Sequence, residues 1–348
     1  MTNPFLPGGP EPPSGTLCCM NVVIEKRLAS FRLAPAQSHR NLTLLPLVAP
    51  DGVLRYRTLP EAMAADELTV TEVSELGSVP KLRVQHRGSL PVLLLDGEEL
   101  AGAKQNRVLN TSILLRAHCE AEVPVSCTEQ GRWSYLSPKF SPSGNVMAPK
   151  ARARKSESVA GSLMEMACFD SNQGQVWSDI AEMHHKSGHG SPTGAMKDVY
   201  GAMEDDLRRI EAVLRRVPGQ VGLAAFIHGR LAGVEALSWA GAYASVHRRL
   251  VRSYAMEALL ETHPVPAPTP DLPAAVHDFL HRLADAPEHT FPSVGLGIDH
   301  RVDLPGVTGS ALVHEGEVVH AVFLRLDGDN AAPGVLHRRS GRSRGFMG

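Results

Sequence analysis

The sequence predicts an α+β protein: mainly antiparallel sheet, or sheets, built from hairpins, with amphipathic helices mostly in the C-terminal half. Three observations predict it. First, "VLLLDGEELAG" (92–102), "AAFIHGRLAG" (224–233) and "ALVHEGEVVH" (311–320) share one grammar: an apolar run, a polar residue and glycine, then a second apolar run. Asp96-Gly97, His228-Gly229 and Glu315-Gly316 suit two-residue hairpin turns. Second, the first ninety residues hold short β-rich stretches and little helical periodicity. Third, apolar residues recur at spacings of three and four only after about residue 175. Strands gathered early and helices gathered late favour α+β over alternating units around a parallel sheet.

The elements follow in order. Residues 1–15, rich in Pro and Gly, are expected to be disordered. A strand-rich lobe spans 16–136. In it "LTLLPLVAP" is a strand closed by Pro50-Asp51-Gly52, "LTVTEVSE" has the Thr and Val content of a strand, and "KLRVQHRG" alternates at Leu82 and Val84. Residues 137–175 are expected to form an irregular exposed connection, since "SPKFSPSGNVMAPKARARKSES" is polar, Pro-rich and basic. Residues 176–330 hold the helices and two hairpins, packed on the first lobe. "GQVWSDIAEMHHK" puts Val176, Trp177, Ile180 and Met183 on one helical face. The segment from Pro192 to Val217 is predicted to be the longest helix or nearly so, with Ser191 as its cap and Pro218-Gly219 as its end. "HRRLVRSYAMEALLE" and "LPAAVHDFLHRLADA" are further helices, joined by the proline-rich "THPVPAPTP". Residues 331–348 read as a disordered basic tail.

Composition excludes several classes of function. The net charge is -2, with both signs interspersed, so there is no electrostatic case for nucleic acid. No apolar run is long enough to span a bilayer, and the N-terminus lacks the pattern of a secretory signal, so a cytoplasmic protein without a membrane partner is expected. Five cysteines, an odd number, point to free thiols. Neither a cofactor nor an oligomeric state can be read from the residues; a homo-oligomer stays open.

Four constellations carry chemistry. In "LLLDGEELAGAKQNRVLN" an apolar strand runs into Glu98, Glu99, Lys104, Gln105, Asn106, Arg107 and Asn110. If Asp96-Gly97 is a hairpin turn, Glu98 and Glu99 point to opposite faces, one into a cleft and one into solvent. The polar run 104–107 would then be a loop. Asn and Gln offer donor and acceptor together, which suits a sugar-like or amide-like ligand, while a solvated hairpin explains the same residues. In "VPVSCTEQGRWSY" Glu129 can hold a diol, Arg132 an anion and Trp133 a flat ring, though Trp is also an ordinary core residue. Cys127 is either a nucleophile or an inert buried thiol. "SPTGAM" opens a helix, so Ser191, Thr193 and Gly194 make either an anion site or an ordinary cap. In "MHHKSGHG" His184, His185 and His189 read as a solvated helix end, because adjacent histidines on a helix diverge and no acid or Cys partner has metal spacing.

Together "DGEELAGAKQNRVLNTSILL", "VPVSCTEQGRW", "SPTGAMKDVY" and "GQVGLAAFIHGRLAG" resemble the ARG and rhodanese-phosphatase-superfamily-associated protein family, first type, a bacterial family. The likeness runs from about Cys18 to Leu326. Its motif positions here are Glu98, Glu99, Lys104, Gln105, Asn106, Asn110, Glu129, Gly131, Arg132, Trp133, Ser191, Thr193 and Gly194. The family is named for gene neighbours that include ADP-ribosylglycohydrolases. The resemblance therefore implies a role in NAD or ADP-ribose metabolism, with a nucleotide-like small molecule as ligand. On that reading Glu98, Glu99 and Glu129 are catalytic candidates, because glycosidic cleavage needs an acid beside an oxocarbenium-like centre. Lys104, Gln105, Asn106, Asn110, Arg132, Trp133, Ser191, Thr193 and Gly194 are then the ligand-binding candidates. Two alternatives stand beside it: a non-catalytic interaction module, and a hydrolase or transferase dependent on Cys127. If two strand ends deliver their polar residues to one cleft, Glu98 or Glu99 should approach Glu129, Arg132 or Trp133, and repulsion between paired acids should raise one pKa.

Overall fold

A computed structural model describes residues 18–74, 80–261 and 271–326. Its fold class is the predicted one, α+β with mostly antiparallel sheets. A ten-stranded antiparallel sheet forms the base. Its central strands are two hairpins, Gln220–Ile227 with Arg230–Leu237 and Val307–His314 with Glu317–Arg325, joined edge to edge through the Gly233–Leu324 register. Both turn where expected: His228-Gly229 and Glu315-Gly316 take left-handed conformations, with φ of 49° and 72° and of 49° and 74°, which match the right-handed twist of the strands. Leu42–Val48, from the N-terminal part, pairs with Gln220–Ile227. The strand-rich stretch 16–136 is therefore divided between sheets. Its early strands complete the large sheet, and its later ones build a six-stranded antiparallel sheet and a three-stranded one.

The eight helices of the described residues are α1 (Val22–Ala29), α2 (Leu59–Ala64), α3 (Pro149–Met166), α4 (Gln173–Ser187), α5 (Met196–Ala202), α6 (Glu204–Val213), α7 (Ala240–Leu260) and α8 (Leu272–Ala284). Alternation along the central strands sends Leu45, Leu47, Ala224, Phe226 and Phe323 to one face, beneath Ile24 and Leu28 of α1 and Phe279 and Leu283 of α8. Leu42, Leu44, Leu223, Ala225, Val322 and Leu324 pack on the other face against Leu250, Tyr254 and Leu260 of α7. Each leucine so buried contributes about 2 kcal/mol of transfer free energy. The small sheets share a third core around Val70, Val84, Leu94, Leu100 and Val125.

Four expectations are corrected. Asp96-Gly97 is not a hairpin turn. Val92–Leu94 pairs with Ile113–Leu115 in the three-stranded sheet, while Glu98–Gly102 pairs with Arg107–Leu109 and Phe140–Val146 in the six-stranded one. Asp96-Gly97 is the point where the chain changes sheets. Gly97 has φ of 77°, and a Cβ there would lie 2.7 Å from Arg152 Nε, so a side chain is excluded twice. The polar run 104–107 is a loop only as far as Asn106, since Arg107 begins a strand.

The stretch 137–175 is neither irregular nor, for the most part, exposed. It holds the strand Phe140–Val146 and the eighteen residues of α3, in which Arg152 and Lys155 are fully buried. Pro142 is tolerated because its strand lies at a sheet edge, and Pro149 takes the first helical turn, where no backbone donor is needed. The 192–217 segment is not one long helix. Its apolar stripe is shared by α5 and α6, with a break at Met203 (φ -101°, ψ 14°), and the longest helix among the described residues is α7, with 21 residues. The expected disorder of 1–15 and 331–348 and the "THPVPAPTP" connector fall outside the described residues, except Glu261 and Asp271 beside the connector. No helix among the described residues is long and apolar enough to cross a membrane.

Candidate functional site

The two polar motifs meet where Glu98–Gly102, Arg107–Leu109 and Cys119–Cys127 run side by side. Arg107 is paired with Leu100 on one side and Cys127 on the other. Each strand is apolar inside the sheet and polar at this end, so the sheet itself delivers the polar residues together. Glu99 Oε1 accepts a 2.7 Å hydrogen bond from Thr128 Oγ1, although twenty-nine residues separate them. Glu129 Oε2 accepts from the Asn106 N–H at 3.2 Å and from Arg132 Nη2 at 2.6 Å, and its Oε1 accepts from Thr193 Oγ1 at 2.8 Å. The "SPTGAM" segment is zipped on by backbone bonds: Gly131 N–H to Thr193 O at 2.8 Å and Met196 N–H to Thr128 O at 2.9 Å. A Cβ on Gly131 would stand 2.9 Å from Thr193 Cα, so glycine is required for that approach.

The three candidate acids differ in environment. Glu98 and Glu99 do point to opposite faces, but neither reaches solvent; both are buried. Glu98 pairs with Arg249 of α7, whose own pKa burial lowers to about 10. Glu99 is raised to about 7 by burial, which outweighs the help that Thr128, Ser143 and Asn145 give the charged form. Its Oε2 has no aligned hydrogen-bond partner among the described residues. The raised acid was expected from repulsion between carboxylates; desolvation is the cause instead. Glu129 is also pushed up by burial, but Arg132 and Thr193 more than offset this and hold it below the usual carboxylate range.

The remaining motif residues divide into clamps and open groups. Arg132 is a clamp: besides Glu129 it donates to Ala103 O at 2.7 Å and Ser134 O at 2.9 Å. Asn110 joins Phe169 O to Ser126, away from the other motif residues. Ser191 receives the Ala195 N–H at 3.0 Å and donates to Asp198 at 2.6 Å, while Gly194, with φ of 62°, shapes the same turn. The turn precedes α5, which has seven residues, so the expected long-helix anion site is replaced by a capped turn. His184 likewise closes a helix end, with ring nitrogens at 2.8 Å from His189 O and 3.2 Å from Ala195 O. Cys127 donates to Gln105 Oε1 at 3.1 Å and to Glu129 O at 3.3 Å; burial pushes its pKa up, and no histidine is among its hydrogen-bond partners.

The open groups are Lys104, Asn106, Arg107 and Trp133. Arg107 is fully buried, yet its Nε and Nη2 have no hydrogen-bond acceptor among the described residues; its nearest acid, Glu72, stands 3.8 Å away. Asn106 Nδ2 is buried and unpartnered as well. Above them Trp133 is 53% exposed, with Arg107 Cζ 6.0 Å and Lys104 Nζ 5.3 Å from its ring centre. Lys104 also lies 5.1 Å from the ring of the exposed Tyr135. Buried polar atoms are nearly always paired, so these orphan donors stand out, as do Glu72 Oε1 and Oε2, which are buried and unmatched too. Arg107 carries the strongest such signal. A lone Arg in a polar run gave the sequence no reason to separate it from solvated neighbours.

A second polar cluster was not anticipated. Arg152 grips Glu235 with two bonds, at 3.0 and 2.8 Å, and lies 3.5 Å from Asp96; Lys155 Nζ is 2.5 Å from Asp96 Oδ1. His320 bridges Ser112 at 2.8 Å and Glu235 at 3.1 Å. All are buried and paired with one another, although Arg152 Nε makes no hydrogen bond among the described residues, and they rivet α3 to the strands of the sheets or their flanks. No group of His, Cys, Asp and Glu among the described residues could hold a metal ion.

Residues 30–324 match the model of the ARPP-1 domain, the ARG and Rhodanese-Phosphatase-superfamily-associated Protein domain. The chain belongs to the ARPP-1 family. No curated protein and no solved structure matches it. The ARPP-1 match covers all four motifs above and both polar clusters. The family's name points to an association with ADP-ribosylglycohydrolase systems.

Proposed function

We propose that this ARPP-1 protein binds an ADP-ribose-like nucleotide, within NAD- or ADP-ribose-linked metabolism, at the Lys104–Asn106–Arg107–Trp133 cluster. The observation that carries the reading is the buried Arg107 guanidinium with two unmatched donor positions beneath an exposed indole. A flat base stacks on Trp133, the pyrophosphate is drawn to Lys104 and Arg107, and Asn106 Nδ2 and Gln105 serve the ribose or an amide. Binding, more than turnover, suits the acids: Glu98 and Glu129 are committed to arginines. Glu99 alone keeps an unmatched oxygen and holds its proton up to about pH 7, so any glycosidic step would use it as general acid.

A second reading has its own support. Trp133, Tyr135 and Leu136 are all exposed, at 53, 51 and 66%, which favours an interaction module docking a partner protein there. Calorimetric titration of the full chain with ADP-ribose, with product analysis of the same mixture, decides between them. The nucleotide reading expects saturable binding, weakened at least tenfold in Trp133→Ala and in Lys104→Ala. Glu99→Gln should bind normally and lose any turnover found. Absence of heat with ADP-ribose, ADP and NAD alike would leave the docking surface as the reading.

A further inference from the structure

A cavity of about 220 Å³ opens between α1, the strap 50–52 and the turn at Glu315-Gly316. That is below the range of drug-sized sites, so it suits a small molecule. Val23, Pro50 and Val318 give it apolar walls, and two cations, Lys26 and Arg27, line it as well. Lys26 is exposed and makes no ion pair or hydrogen bond among the described residues. Arg27 is half-buried. It donates to Pro50 O at 2.9 Å, to Leu237 O at 2.7 Å and to Ser238 O at 3.0 Å, all of them neutral carbonyls. No carboxylate stands within ion-pair distance of it among the described residues, and burial lowers its pKa against the opposing influence of Tyr56, Asp51 and Glu317. Its Nε hydrogen and one Nη1 hydrogen are left without a bond among the described residues. Glu317 is the acid in the lining, and it is already engaged: Oε1 accepts the Val53 N–H at 2.6 Å and Oε2 the Leu54 N–H at 3.2 Å. Asp51 Oδ1 is likewise taken by the Ala240 N–H at 2.8 Å.

A cation partly withdrawn from water, with only carbonyl dipoles for partners, attracts an anion more strongly than a fully solvated cation does. Lys26 adds a second positive charge at the same cavity. Glu317 beside them limits the favoured charge of a guest, so a single carboxylate is preferred to a phosphate dianion. The apolar walls favour an anion that brings a carbon chain to cover them. We infer that this cavity binds a small monocarboxylate with an aliphatic body: its carboxylate at Lys26 and Arg27, its chain on Val23, Pro50 and Val318. A short-chain fatty acid has this chemistry. The site shares no lining residue with the Arg107–Trp133 cluster, so the inference stands independently of the nucleotide reading.

The test is calorimetric titration of the full chain with hexanoate and with three probes that each lack one feature. Acetate lacks the chain, inorganic phosphate replaces the carboxylate with a bare anion, and hexylamine reverses the charge. Hexanoate is expected to bind saturably and about tenfold or more tightly than any of the three. Lys26→Glu reverses the charge of an exposed residue; it is expected to weaken hexanoate about tenfold or more, while Tm without ligand stays near that of the parent. Lys26→Arg keeps the charge and is expected to bind as the parent does. The inference is overturned if hexanoate does not bind with Kd below about 1 mM, or if Lys26→Glu binds it as tightly as the parent. It is equally overturned if acetate or phosphate matches hexanoate, which would make the cavity a plain anion site, or if hexylamine does, which would make it a plain apolar one.

Discussion

Glu98 and Glu99 are neighbours in sequence with opposite electrostatic fates, and each fate can be measured. Glu98 neutralises a buried arginine. Glu98→Gln leaves Arg249 with a neutral partner in a dry site, and loss of one member of such a pair costs roughly 3–5 kcal/mol. Urea unfolding should show that loss; the double change Glu98→Leu with Arg249→Leu should recover much of it. Glu99 is the reverse case. Its folded pKa of about 7 lies above the ordinary 4.5. The folded state therefore holds a proton that the unfolded state has released. Stability is untouched below about pH 4.5, declines as pH rises toward 7, and is lowest above it, by up to ~3.5 kcal/mol at ~1.4 kcal/mol per unit. Glu99→Gln removes the ionisation and should be more stable than the parent at about pH 8 yet no more stable at about pH 4.5, where the parent carboxyl is already neutral. Equal stability of the two at the higher pH would show that Glu99 is not desolvated as described.

At the scale of elements, α3 is the informative case. Its sequence, "PKARARKSESVAGSLMEM", reads as solvated because four of its first seven residues are basic. The structure buries Arg152 and Lys155 against Asp96 and Glu235 and leaves Arg154 for Asp179. Pairing across more than fifty residues has no local signature, and so the helix was invisible to periodicity. The same partners explain why "LLLDG" mimics a hairpin: Asp96 is placed for Lys155, and Gly97 makes room for Arg152. The genuine hairpins at His228 and Glu315 were legible from residue type alone, although the His228 ring also meets Asn41 at 3.0 Å and Glu261 O at 2.9 Å. Limited trypsin digestion should leave the bonds after Arg152 and Lys155 intact while the fold persists, despite their basic sequence. Early cleavage there would contradict the rivet. Arg152→Met, which leaves Glu235 and Asp96 short of their cation, should lower stability by ~3 kcal/mol or more.

Across the whole molecule, the acids set a stability optimum on the acidic side of neutrality. Glu99 and Glu257 are both raised to about 7 by burial and erode stability as pH climbs. Glu235, held down to about 2 chiefly by Arg152 against the opposing effect of burial, acts at the other end. Its contribution is complete above about 4.5 and is lost as pH falls toward 2. Chemical denaturation across pH should therefore peak near pH 5, and the double variant Glu99→Gln, Glu257→Gln should flatten the alkaline limb alone. The convergence of the "DGEELAGAKQNR" and "TEQGRW" motifs was legible because both were apolar strands ending in polar residues. Which of those residues stay open was not legible, since Arg132 and Arg107 look alike in sequence and differ only in what surrounds them. The claim that matters most is that Trp133 and Arg107 await a nucleotide. Indole ¹⁵N–¹H resonances report on it directly, because the chain has three tryptophans and only Trp133 is exposed among the large hydrophobic side chains of its kind. Titration with ADP-ribose is predicted to shift the Trp133 indole signal saturably, with Trp239 unmoved and the shift lost in Lys104→Ala. An unmoved Trp133 signal at saturating ADP-ribose would contradict the account.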